Sequence, residues 1–112
     1  CSMNHLPGFV EQAEALKAEG VDTVACMAVN DVFVMHAWGK DRNVGDSVLM
    51  LADGNGDYAK ALDLVLDGTG FGMGMRGQRF ALVVEDGVAT HVAVEAPGQF
   101  EVSKVEAIMQ AI

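Results

Sequence analysis

Chemistry in this chain starts with Cys1, the first residue of the stretch Cys1-Ser2-Met3-Asn4-His5-Leu6-Pro7-Gly8-Phe9. The pattern places a thiol at or near the first turn of a helix. There, unpaired backbone N–H groups and the positive end of the helix dipole lower a cysteine pKa and favour the thiolate. His5, four residues on, lies near one face of the same helix. Arg76 and Arg79 stand just before an apolar strand. A guanidinium there stabilises a thiolate and donates hydrogen bonds to an oxygen leaving group without losing its charge. The plain alternative is a cysteine that merely opens a fragment, and the residues alone leave both readings open.

Other chemistries are poorly supplied. His5, His36 and His91 have no Cys/His cluster around them to complete a zinc set, so no metal site is expected. Gly72-Met73-Gly74-Met75-Arg76-Gly77 satisfies GxGxxG, but a dinucleotide fingerprint needs a strand before it and a helix after it. This loop runs into a strand, and no nucleotide cofactor is expected. The acidic residues are scattered and offer no acid/base couple. Sixteen Asp and Glu against seven Lys and Arg give a formal charge of −9, which argues against a nucleic-acid partner. No apolar run reaches the ~18 to 20 residues of a membrane span. Two cysteines are too few for a secreted disulfide scaffold, so a reducing cytosol or organelle interior is the expected location. There is no signal-peptide pattern and no initiating methionine, and the chain is expected to be processed, cut or part of a longer protein.

The elements that must position these groups follow from periodicity and punctuation. Phe9 to Glu19 is predicted as a helix, stopped by Gly20. Val21 to Val29 is predicted as a buried strand containing Cys26. Asn30-Asp31 caps a helix from Val32 to Trp38 that Gly39 closes, and Val48 to Ala52 is a second buried strand. A turn at Asp53 to Gly56 leads to a helix from Asp57 to Leu64, and Gly68 to Gly77 is expected to be loop. Asp86-Gly87 between Phe80–Val84 and Val88–Val94 is a hairpin signal. Ser103 is predicted to cap a last helix, Lys104 to Ile112. One domain is expected, α/β in class. Alternating α and β elements followed by a hairpin and a terminal helix point to a three-layer sandwich of thioredoxin type. Because the chain opens on a helix, that sandwich is expected to be short of its N-terminal strand or strands. An uncovered sheet edge would then make the piece fold poorly alone.

The segment at 1–9 resembles the one that begins at the peroxidatic cysteine of type II peroxiredoxins, the thioredoxin-fold thiol peroxidases. The resemblance continues through Val24–Asp31, Val34–Lys40, Met50–Asp53 and Arg79–Gly87, and ends near Val94-Glu95. It implies that Cys1 attacks a peroxide O–O bond as thiolate and becomes a sulfenic acid. It implies that Arg79 is the active-site arginine, with Arg76 the competing candidate. His5 is expected to shape the site mouth at most. Cys26 matches the second cysteine of plant-type members, and either forms a disulfide with Cys1 or is simply buried. No C-terminal resolving cysteine stands in Gly98–Ser103. Regeneration by glutathione and glutaredoxin, or by thioredoxin, is therefore expected, with hydrogen peroxide and alkyl hydroperoxides as substrates and no metal, haem or flavin. The family's proline and threonine before the cysteine have no counterpart here. Homodimers occur among relatives, and no residue decides for or against one.

Two other readings compete. One is a catalytically inactive thioredoxin-fold fragment or partner-binding module. The other is an amidase using the N-terminal cysteine with its own amine as base, although the paired antiparallel sheets of that class are missing from the predicted order.

Overall fold

Proline in a first helical turn costs nothing, because the N–H it lacks has no partner there. Pro7 accordingly does not delay the first helix. In the computed structural model, which describes residues 3–112, α1 runs His5–Ala18 with Asn4 at its N-cap, not from Phe9 as the sequence predicts. The remaining elements are β1 (Ala25–Ala28), α2 (Val32–Asp41), β2 (Leu49–Ala52), α3 (Asp57–Ala61), β3 (Val65–Gly68), β4 (Gly74–Gly77), β5 (Phe80–Glu85), β6 (Val88–Val94) and α4 (Val105–Ala111). These elements group into two units. One is built from the residues up to Asp22 together with Arg79–Ile112, the other from Thr23–Gln78.

In the first unit, α1 buries Leu6, Ala13 and Leu16, and α4 buries Val105 and Ile108. The two helices meet where Gly8 has no side chain. A Cβ at Gly8 would stand 3.1 Å from Val105 Cγ1, so any larger residue would crowd the Val105 side chain. β5 and β6 form an antiparallel hairpin from Phe80↔Val94 to Glu85↔Val88, irregular between Val83 and Val84. Its turn residues Asp86 and Gly87 have φ of 51° and 79°, the left-handed pair that the strand twist selects.

In the second unit, β1 and β2 pair in parallel from Ala25↔Leu49 to Ala28↔Ala52, joined through α2. Asp31 caps α2 by accepting from Val34 N at 2.8 Å. Gly39 does not close that helix as predicted. It lies buried inside it, with Met50 Cγ 3.1 Å and Val44 Cγ2 3.3 Å from where a Cβ would sit. The glycine marks a close approach of helix to strand. Met50 is turned toward α2, so its neighbours Leu49 and Leu51 face the other way and remain exposed, at 54% and 42%. β2 is thus covered on one face rather than buried on both. The Asp53 carboxylate accepts from Tyr58 N and Ala59 N and starts α3, which is shorter than predicted.

The expected loop at Gly68–Gly77 is also corrected. β3 and β4 are an antiparallel pair, Val65↔Gly77 to Gly68↔Gly74, linked through a short 3-10 turn at Thr69–Phe71. Glycine at the strand ends removed the β-branched signature by which such strands are recognised.

Candidate active site

Cys1 lies outside the described residues. The other residues expected around it, His5 and Arg79, fall in the same unit and are drawn together by the segment that follows β6.

His5 stands in the first turn of α1, half-buried. Its Nε2 lies 3.0 Å from the Ser103 carbonyl oxygen. That oxygen only accepts, so Nε2 carries the proton and Nδ1 keeps its lone pair. Burial lowers the His5 pKa below its ordinary value. The Arg79 charge adds to that, while the Ser103 hydrogen bond and the Glu95 carboxylate work the other way. Edge-on contacts with Phe9, at 5.6 Å between centroids, and with Phe100, at 5.4 Å, fix the ring.

Arg79 is anchored on the hairpin, its carbonyl accepting from Glu95 N at 3.0 Å. Nη1 donates to Gln99 O at 2.9 Å. The guanidinium carbon lies 5.6 Å from the centroid of the Phe100 ring, within cation–π range. Nε is buried and has no acceptor among the described residues. A charged fork is thus held at one prong and along one face, with a buried donor left over. This is the arrangement expected of a group kept for a substrate oxygen or thiolate.

Arg76 is differently employed. It lies in β4, in the other unit, where Nη1 donates to Val29 O and Asn30 Oδ1, both at 2.8 Å, and Nε donates to Met73 O at 2.9 Å. The two Nη1 bonds tie β4 to the end of β1, and the Nε bond holds the turn before β4. A cleft of about 230 Å³ beside Val29, Gly56, Ala59, Val65 and Arg76 belongs to that unit too. Cys26, on β1, carries a free, partly buried thiol. Desolvation pushes its pKa up to about 11, which leaves it a protonated, weak nucleophile.

The sequence reading missed Glu95, Gln99, Phe100 and Ser103. Glu95 is buried at 7% exposure. Its carboxylate accepts from Glu101 N (2.7 Å), Val102 N (3.2 Å), Ser103 N (2.9 Å) and Ser103 Oγ (2.7 Å). Burial disfavours the carboxylate, and these four donors outweigh it, holding the pKa down to about 2. Ser103 is therefore not a helix cap. Its hydroxyl is taken by Glu95, and α4 starts behind Lys104 with no side-chain cap. The available signal was an acidic residue ending an apolar strand just before Pro97-Gly98.

The redoxin family profile matches residues 1–109. Peroxiredoxin-2B of Arabidopsis thaliana is 47% identical over 112 residues, covering 100% of this chain and 69% of the relative. Peroxiredoxin-2C of rice, Oryza sativa subsp. japonica, is also 47% identical, with the same coverage. The chain belongs to the redoxin family, among the type II peroxiredoxins, which are thiol-dependent peroxidases. Reduced Prx3 of Vibrio vulnificus, solved in complex with hydrogen peroxide, superposes with a TM-score of 0.94 at 50% identity, over 99% of this chain and 71% of that one. The thioredoxin-like α/β class expected from the element order is the fold of this family.

Proposed function

We propose that Cys1 is the peroxidatic thiolate and that Arg79 orients the hydroperoxide and stabilises its charge. The thiolate sulfur attacks the terminal peroxide oxygen. An S–O bond forms, the O–O bond breaks, and the leaving alkoxide or hydroxide departs as alcohol or water after taking up a proton. Cys1 is left as a sulfenic acid. One thiol condenses with that acid, releasing water and forming a mixed disulfide. A second thiol displaces Cys1 and restores it. The proposed reductant is glutathione with glutaredoxin, or thioredoxin. Sulfur does all of the redox work, so no metal, haem or flavin enters. Hydrogen peroxide and alkyl hydroperoxides are the proposed substrates, and the peroxide complex of the Vibrio relative supports the first of them. A location in the cytosol or an organelle interior, and a homodimer, complete the proposal.

The observation that carries this reading is the Arg79 guanidinium, held by Gln99 and Phe100 with a buried donor free among the described residues. Peroxide consumption by the full-length protein tests it. Cys1→Ser is expected to fall to background. Turnover retained in that variant would refute the assignment, and no turnover in the unmodified protein would favour the inactive module.

A further inference from the structure

We propose that Glu95 is a positioning residue for peroxide reduction, setting Arg79 through the segment from Gln99 to Ser103. The proposal rests on the assignment of Arg79 as the peroxide-orienting group. Both partners of Arg79 on that segment, the Gln99 carbonyl and the Phe100 ring, sit immediately before the three residues that Glu95 holds. The partner of His5, the Ser103 carbonyl, belongs to the residue that gives Glu95 two of its four bonds. One buried carboxylate thus gathers a turn whose outward groups hold both side chains. The same residue is tied to Arg79 at the backbone, through Glu95 N and Arg79 O.

The bonding is particular to a carboxylate. Glu95 Oε2 accepts from Glu101 N, Ser103 N and Ser103 Oγ, and Oε1 accepts from Val102 N. An amide at this position supplies one oxygen and turns an NH2 donor toward a donor, so Glu95→Gln breaks the gathering at nearly constant size. The segment then relaxes, and the guanidinium loses its fixed direction while keeping its charge. Misplacement of this kind, away from the reacting atoms, lowers rates by about 10- to 100-fold.

A double-mutant cycle in the full-length protein tests this, reading the second-order rate of Cys1 oxidation by hydrogen peroxide alongside a thermal melt. Glu95→Gln is expected to slow oxidation about 10- to 100-fold in the otherwise unaltered protein and to have no further effect in an Arg79→Ala background. Equal losses in both backgrounds would mean that Glu95 acts on the fold generally, and would overturn the proposal. So would an unchanged rate. Should Glu95→Gln fail to fold, Ser103→Ala removes a single donor and enters the same cycle, with a smaller loss expected and the same dependence on Arg79. Cys1→Ser is run beside them with hydrogen peroxide consumption as the readout. Its retaining activity would bring down the underlying assignment, whereas an inert Cys1→Ser with a normal Glu95→Gln would bring down this inference alone.

Discussion

Arg76 and Arg79 stand three residues apart, carry the same group and end in opposite employments. Arg76 spends Nε and Nη1 on three acceptors and fastens β4 to the end of β1. Arg79 spends one Nη1 donor on a carbonyl and rests against a ring, with Nε buried and unpaired among the described residues. The difference shows that two arginines of the same type, close in sequence, are told apart by the donors they keep and not by their spacing.

The sharpest break of that comparison is to remove each in turn. Arg79→Ala is expected to lower kcat/KM for peroxide by roughly 100- to 1,000-fold, the effect of deleting a positioned donor to developing charge. Arg76→Ala should leave kcat/KM near its starting value and cost about 1–3 kcal/mol of stability, read from denaturant unfolding. A large activity loss in Arg76→Ala with none in Arg79→Ala would reverse the two roles.

The same contrast extends to the thiols and to pH. A thiol held at about 11 provides on the order of one thiolate in ten thousand at pH 7. Cys26→Ser is therefore expected to keep peroxidase turnover with an external reductant, and mass analysis of the peroxide-treated protein should show no Cys1–Cys26 disulfide. The smallest effect is in acid. Glu95 has a folded pKa of about 2 against an ordinary 4.5. The unfolded chain binds the proton more readily, so this stability is whole above about pH 4.5 and is lost as pH falls toward 2. His5, also lowered, begins to erode stability earlier, below its ordinary value of 6.5. Unfolding free energy measured against pH should show a flatter limb below pH 4.5 for Glu95→Gln.

Much of the scaffold was legible because its signals are local. Asp31 caps α2, Asp86-Gly87 turns the hairpin, and the apolar run around Cys26 contains a strand. What escaped depends on partners beyond the immediate neighbours in sequence. Gly39 looks like a helix stop until Met50 approaches it. Gly74–Gly77 looks like loop until it pairs with β3. Ser103 has the chemistry of a cap, but a carboxylate eight residues back takes its hydroxyl. Of the candidate site, His5 was named from its spacing, and Arg79 was preferred over Arg76 only through the family resemblance. The Glu95 network was not, because four of its contacts are to backbone or to a hydroxyl whose alternatives were equally good.

The hydrogen bond from His5 to Ser103 joins residues 98 positions apart, and the unit around the site is assembled from two stretches of chain separated by Thr23–Gln78. Closing so long a loop carries an entropic cost that the hairpins and the βαβ segment do not meet. In any order of folding where near neighbours meet first, the arginine and the histidine receive their common support last. A chain still emerging from synthesis carries the proposed nucleophile long before the segment from Gln99 to Ser103 is available to hold His5 and Arg79.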